Sequence, residues 1–133
     1  MLTSESRLAI SSQSAEAQVI RLAKALIWDE AASQQCLLVE CVDMSFRDIR
    51  RIDASGSPNP HCNDPFGGMV VVMGGDFRQT LPIDPHANDA QIVSMCLHQW
   101  RYWDTHMHLF MLTENQRAAR LIAGASSIMK NVP

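Results

Sequence analysis

The stretch Gly67-Gly68-Met69-Val70-Val71-Val72-Met73-Gly74-Gly75-Asp76-Phe77-Arg78-Gln79-Thr80-Leu81-Pro82 constrains this chain more than any other. Val70 to Met73 is a continuous apolar run rich in β-branched residues, with glycines on both sides. Such a run suits a strand buried on both faces of a parallel sheet. Gly74 and Gly75 let the backbone turn sharply or approach a ligand closely. Asp76, Arg78 and Gln79 then fall beyond the strand's carboxyl end, the edge at which open α/β sheets bind ligands. The residue types alone leave a second reading equally open, a core strand followed by a polar turn.

A shorter apolar run, Ala25-Leu26-Ile27-Trp28, is followed at once by Asp29-Glu30 and then by the small Ala31 and Ala32. A hydrophobic strand ending in Asp-Glu is the pattern of a Walker B segment. There the Asp helps hold Mg²⁺ at the end of a rigid strand, and the Glu orients or deprotonates the attacking water. Many strands end in acidic residues, so the pair alone is a weak signal. A third strand is expected over residues 106–112, followed by Thr113-Glu114-Asn115-Gln116-Arg117.

Helical patterns separate these runs. Ser14 is placed to cap a helix over residues 15–24, with Val19, Leu22 and Ala23 on one face, Glu16 in the first turn and Lys24 in the last. Residues 34–52 read as a long amphipathic helix whose stripe is Leu38, Val42, Ser45, Ile49 and Ile52, with Cys41 beside it. Arg47, Asp48, Arg50 and Arg51 lie mostly outside the stripe and read as a solvated face rather than a DNA patch. Gly56, Pro58, Pro60 and Pro65 make residues 54–65 a loop, in which His61 and Cys62 have no evident partner. Residues 90–97 suit a helix capped by Asn88 or Asp89. Residues 99–103 suit a further helical turn whose aromatics serve the core rather than base stacking. Residues 118–133 are small and apolar, with no clear stop signal. The order helix, strand, long helix, strand, helices, strand suits a parallel sheet with right-handed crossovers.

With 133 residues, 47% hydrophobic and 19% charged, the chain can bury the core of one domain. A formal net charge of −3 argues against a generally basic nucleic-acid coat but leaves room for a local basic groove. The absence of any run of 18 apolar residues argues against a transmembrane helix, and the first residues lack the pattern of a secretory signal. Cys36, Cys41, Cys62 and Cys96 show no two-residue pairing and read as reduced intracellular thiols. His106 and His108 would share a strand face, with His98 nearby in sequence, but no third ligand completes a zinc site.

Three segments line up in order: Leu26-Ile27-Trp28-Asp29-Glu30-Ala31, then Pro65-Phe66-Gly67-Gly68 through Gly74-Gly75-Asp76-Phe77-Arg78-Gln79-Thr80-Leu81-Pro82-Ile83, then Leu112-Thr113-Glu114-Asn115-Gln116-Arg117. Together they closely resemble the PIF-type (petite integration frequency) DNA helicases, in the forms found in plants and in Helitron transposons. Glu40 to Ile49 and Ala90-Gln91-Ile92-Val93 add to the likeness, which covers roughly residues 6–117; the Gly-Gly-Asp-Phe-Arg-Gln-x-Leu-Pro segment is its specific part. The resemblance implies an α/β fold, a partial RecA-like P-loop NTPase domain with three layers and a mainly parallel sheet. It implies ATP and Mg²⁺ as cofactors, single-stranded or forked DNA as partner, and 5′ to 3′ unwinding in repair, recombination and telomere maintenance. It also implies a nuclear location and no membrane. By motif position Asp29 resembles the Mg²⁺-associated acid and Glu30 the water-activating residue. Gln79 resembles the γ-phosphate sensor, and Arg117 the arginine that reaches the γ-phosphate. Asp76 and Arg78 are assigned to motif architecture only.

The departures from the family carry equal weight. A Walker A loop needs Gly-x-x-x-x-Gly-Lys followed by Ser or Thr, and no glycine in this sequence precedes a lysine. Residues 1–133 are therefore expected to form part of the first motor domain, from Walker B to the arginine-bearing motif, without the second. The isolated chain is expected to be inactive. The alternative is a non-catalytic, transposon-derived remnant or a partner-binding module. A metallophosphoesterase built on Asp29, Asp76, His86 and His108 lacks the Asp-x-His and Gly-Asn-His arrangements of that class.

Overall fold

The computed structural model describes residues 3, 5–79 and 82–116. Helix α1, Ala15–Leu22, starts where Ser14 Oγ accepts the Ala17 N–H at 3.2 Å. It stops two residues short of Lys24 because Ala23 is already extended. Strand β1, Ala25–Trp28, follows directly. A 3-10 turn, Ala31–Ser33, leads into α2, Cys36–Ile49. After a long loop and a second 3-10 turn, Pro65–Gly67, strand β2 runs over Val70–Met73. Helix α3, Asp89–Met95, opens on a reciprocal capping box. Asn88 Oδ1 accepts the Gln91 N–H at 3.0 Å, and Gln91 Oε1 accepts the Asn88 N–H at 2.8 Å. Helix α4, Trp103–His106, follows.

Strands β1 and β2 pair in parallel, Ala25 against Val70 through Trp28 against Met73. A two-stranded parallel sheet with helices is an α/β arrangement, as expected. Leu26, Trp28, Val71 and Met73 pack against a core formed by Val39, Val42 and Phe46 of α2 with Phe66, Met69, Leu97 and Trp100. The expected burial on both faces is corrected. The core lies against one face only, and on the other Ile27 is 79%, Val70 63% and Val72 54% exposed.

The third strand is also corrected. Residues 107–115 form no strand, and Leu109, Phe110, Met111 and Leu112 are all largely exposed. A strand exists by pairing with a neighbour, and the sheet of the described residues contains β1 and β2 alone. His106 closes α4 instead, so His106 and His108 do not share a strand face.

Helix α2 is more deeply buried than its stripe suggests. Val42, Ser45 and Ile49 are buried as expected, but so are Val39, Cys41, Asp43 and Phe46, while Ile52 lies beyond the helix and is exposed. The solvated basic face holds for Arg51 and Asp48, an exposed ion pair. It fails for Arg50. That side chain donates through Nε to Gly67 O at 3.0 Å and through Nη1 to Ile20 O and Ala23 O at 2.8 and 3.1 Å. One guanidinium thus ties the end of α1, just ahead of β1, to the turn just ahead of β2. Burial lowers its pKa from the usual arginine range. Arg47 likewise turns inward, to Asp43 Oδ1 at 3.0 Å and over the Tyr102 ring at 5.0 Å. Trp100, 3% exposed and 5.4 Å from Phe66 between ring centroids, serves the core as expected. His61 does have a partner, Asp64 Oδ2 at 2.9 Å. Among the described residues no helix is long and apolar enough to cross a membrane.

Candidate active site at the strand ends

Parallel pairing of Trp28 with Met73 brings the residues that follow each strand to one edge of the sheet. The pairing continues past the strands. Gly74 N–H donates to Trp28 O at 2.9 Å, and Ala31 N–H donates to Gly74 O at 2.8 Å. Asp29 is held between these two bonds, with Oδ1 accepting the Glu30 N–H at 3.0 Å. A Cβ on Gly74 would lie 3.5 Å from that same Oδ1, so the carboxylate sits directly beside the end of β2.

Glu30 has a left-handed backbone, φ 54° and ψ 31°. A non-glycine residue held there costs on the order of 1–3 kcal/mol, and such strain concentrates at functional positions. Its carbonyl anchors the 3-10 turn, accepting from Ser33 Oγ at 2.8 Å, while its side chain takes no part in the cap. The small residues after the acids now have a reason. Ala31 and Ala32 are 1% and 3% exposed, and a Cβ on Gly75 would lie 2.8 Å from Ala32 Cβ. The glycine at 75 and the alanine at 32 let two loops cross at the strand ends.

Beyond Gly75 the chain turns on Asp76. Asp76 Oδ1 accepts the Arg78 N–H at 2.9 Å, Asp76 O accepts the Gln79 N–H at 3.0 Å, and Asp76 Oδ2 accepts from Gln79 Nε2 at 3.2 Å. Phe77 packs edge-on against Trp103 at 5.8 Å and His98 at 6.4 Å between ring centroids, fixing this loop to the segment around α4. The structure therefore brings Asp29 and the turn that begins at Glu30 against Gly74 and Gly75, with Asp76 next in the chain. Gln79 joins through Asp76, and among the described residues no hydrogen bond links it to Asp29 or Glu30. Arg117 lies outside the described residues, as do Thr80 and Leu81.

Helix α2 opens just after the 3-10 turn, and its first residue is preceded by Gln35, which makes no side-chain cap. The amino end of a helix attracts negative charge. A cavity lined by Ser33, Gln34, Gln35, Leu38 and Ile83 adjoins it. Among the described residues no group of three or more His, Cys, Asp or Glu could enclose a metal ion. Mg²⁺ is commonly held by one or two carboxylates with phosphate oxygens and water completing the shell, and Asp29 and Glu30 are two adjacent carboxylates. Sequence reasoning missed the Ala32–Gly75 crossing and the engagement of Gln79 by Asp76; a Gly opposite an Ala-Ala pair was the available signal for the first.

The sequence model of the PIF1-like helicase family matches residues 1–128. The ATP-dependent DNA helicase PIF5 of Trypanosoma brucei brucei is 37% identical over 71 residues, which cover 53% of this chain and 7% of that protein. The chain thus matches a small part of that relative's length.

Proposed function

We propose that this chain, which belongs to the PIF1-like helicase family, supplies the metal- and water-handling edge of an ATP-driven DNA helicase motor of RecA-like fold. The observation that carries the reading is the shared strand edge, where the Asp29 carboxylate lies beside Gly74 and Glu30 follows it in a strained backbone turn. Bound Mg²⁺ would neutralise charge on the triphosphate. Asp29 would hold the metal side through its carboxylate, and Glu30 would orient the attacking water and take its proton. Gln79 reads the γ-phosphate, and Arg117 contributes positive charge to it. Phosphoryl transfer depends on positioning and charge neutralisation, which is what rigid strand ends offer.

The DNA side of the proposal rests on family membership and on the relative's name. The partner is single-stranded or forked DNA, unwound 5′ to 3′, in nuclear repair, recombination or telomere maintenance. The plant and Helitron forms are the proposed kin. The isolated 133-residue chain is proposed to be inert, because no glycine-lysine loop is present to cradle the phosphates.

The test is a chimera in which this chain replaces the matching region of an active PIF1-like helicase. Glu30→Gln in that chimera is expected to lower kcat by about 10²–10⁴ with KM little changed, the range for a lost general base. A Glu30→Gln chimera with full ATPase activity would overturn the assignment.

A further inference from the structure

The side chain of Asp76 does two separate things with its two oxygens. Oδ1 accepts the Arg78 N–H at 2.9 Å and so shapes the turn, while Oδ2 accepts from Gln79 Nε2 at 3.2 Å. An ionised carboxylate is an acceptor only, so it must meet the NH₂ end of the Gln79 amide and never its carbonyl. The Gln79 amide has its orientation chosen for it. One N–H is spent on Asp76, and the second N–H and Oε1 remain for other partners. Phe77, between Asp76 and Gln79, is packed against Trp103 and His98, so the loop carrying the pair is fixed from outside.

We propose that Asp76 is a positioning residue that orients the Gln79 amide, so that one N–H is offered to a phosphate oxygen while Oε1 stays available to a water proton. This rests on the reading of Gln79 as the γ-phosphate-contacting residue and adds the group that aims it. The proposal separates Asp76 from a general structural role, because an asparagine distinguishes its two oxygens. In Asp76→Asn the single oxygen still accepts the Arg78 N–H and keeps the turn. The new NH₂ then faces Gln79, which must flip its amide to present Oε1 inward and both N–H groups outward.

The experiment is NMR on the whole chain with ¹⁵N-labelled glutamine and arginine. In the wild-type protein the Nε2 protons of Gln79 are expected to be displaced from the positions of a free glutamine side chain, because one of them is held by the Asp76 carboxylate. In Asp76→Asn that displacement is expected to be lost while the Arg78 backbone amide keeps its position, showing the turn intact. A Gln79 side-chain signal unchanged by Asp76→Asn overturns the proposal. Loss of the Arg78 position together with the Gln79 signature overturns it too, because Asp76 would then be holding the turn alone. Phe77→Leu, which leaves both Asp76 oxygens in place, is expected to keep the displacement of the Gln79 Nε2 protons. Adding Mg²⁺ with a slowly hydrolysed ATP analogue to the chimera described above, which supplies a phosphate-cradling loop, tests the underlying reading separately. No change at Gln79 in that chimera would refute the nucleotide role while the Asp76–Gln79 coupling stood as measured.

Discussion

Gly75 and Ala32 meet so closely at the strand ends that a methyl group on Gly75 would lie 2.8 Å from Ala32 Cβ and 2.9 Å from its backbone nitrogen. Gly74, one residue earlier, has only an ordinary 3.5 Å contact with Asp29 Oδ1. Adjacent glycines therefore differ in kind. Gly75→Ala is expected to destabilise the fold by about 1–3 kcal/mol, as overpacking a fixed contact does. Gly74→Ala should be tolerated far better. Urea midpoints of the two variants check this, and equal midpoints would contradict the crossing.

Asp43 is 1% exposed and is the one carboxylate of α2 turned into the core. Its Oδ1 accepts the Phe66 N–H at 2.5 Å and Arg47 Nε at 3.0 Å. Phe66 itself is left-handed, φ 54°, so Asp43 braces a strained turn just ahead of β2. Asp43→Ala is expected to cost about 3–5 kcal/mol, because it strands a guanidinium and a buried N–H. Asp43→Asn, which keeps an acceptor, should recover part of that in the same denaturation experiment.

Two thiols carry a pH dependence. Burial pushes both Cys36 and Cys96 up from the ordinary cysteine range, with Cys96 also disfavouring the Cys36 thiolate. A raised folded-state pKa means the native state binds more protons than the unfolded one. The contribution to stability is therefore complete below the unfolded thiol pKa and is lost as pH rises towards the raised values. Alkylation of the native protein at neutral pH is expected to be slower at Cys36 and Cys96 than in a cysteine peptide, with rates rising only above the usual range. Site-resolved mass spectrometry reads this directly; peptide-like rates at neutral pH would contradict it.

ATP turnover by the isolated chain is expected to stay near background, with or without single-stranded DNA. The groups proposed to act on metal, water and γ-phosphate do so only on a held triphosphate. DNA-stimulated phosphate release by the wild-type chain and its Glu30→Gln variant provides the measurement. Family-like turnover abolished by Glu30→Gln would show that another segment cradles the phosphates.

Local chemistry was legible in the sequence where one rule decided the outcome. Both strands run over the residues of their apolar runs, and Ser14 and Asn88 cap the helices they precede. What the sequence hid depends on partners distant along the chain. The 106–112 run has strand-forming residues, but pairing needs a neighbour, and exposed Leu109 to Leu112 show none in the described sheet. Arg50 looked like one more basic surface residue because the carbonyls it binds, at Ile20, Ala23 and Gly67, belong to other elements. Asp43 broke the apolar stripe, yet a buried carboxylate is stable when an N–H from elsewhere reaches it, as that of Phe66 does. At the candidate site, the Asp-Glu pair and the Gly-Gly-Asp segment were visible separately; only parallel register placed them side by side.

The edge formed by Asp29, Glu30 and Gly74 is proposed to receive a metal–nucleotide complex. Paramagnetic line broadening by Mn²⁺ with ATP, measured in the chimera that supplies a phosphate-cradling loop, reports that proximity even where affinity is weak. Selective broadening of the Glu30, Gly74 and Gly75 backbone amides is expected, lost in Asp29→Asn. Broadening confined to other parts of the chain, or broadening at this edge that survives Asp29→Asn, would contradict it.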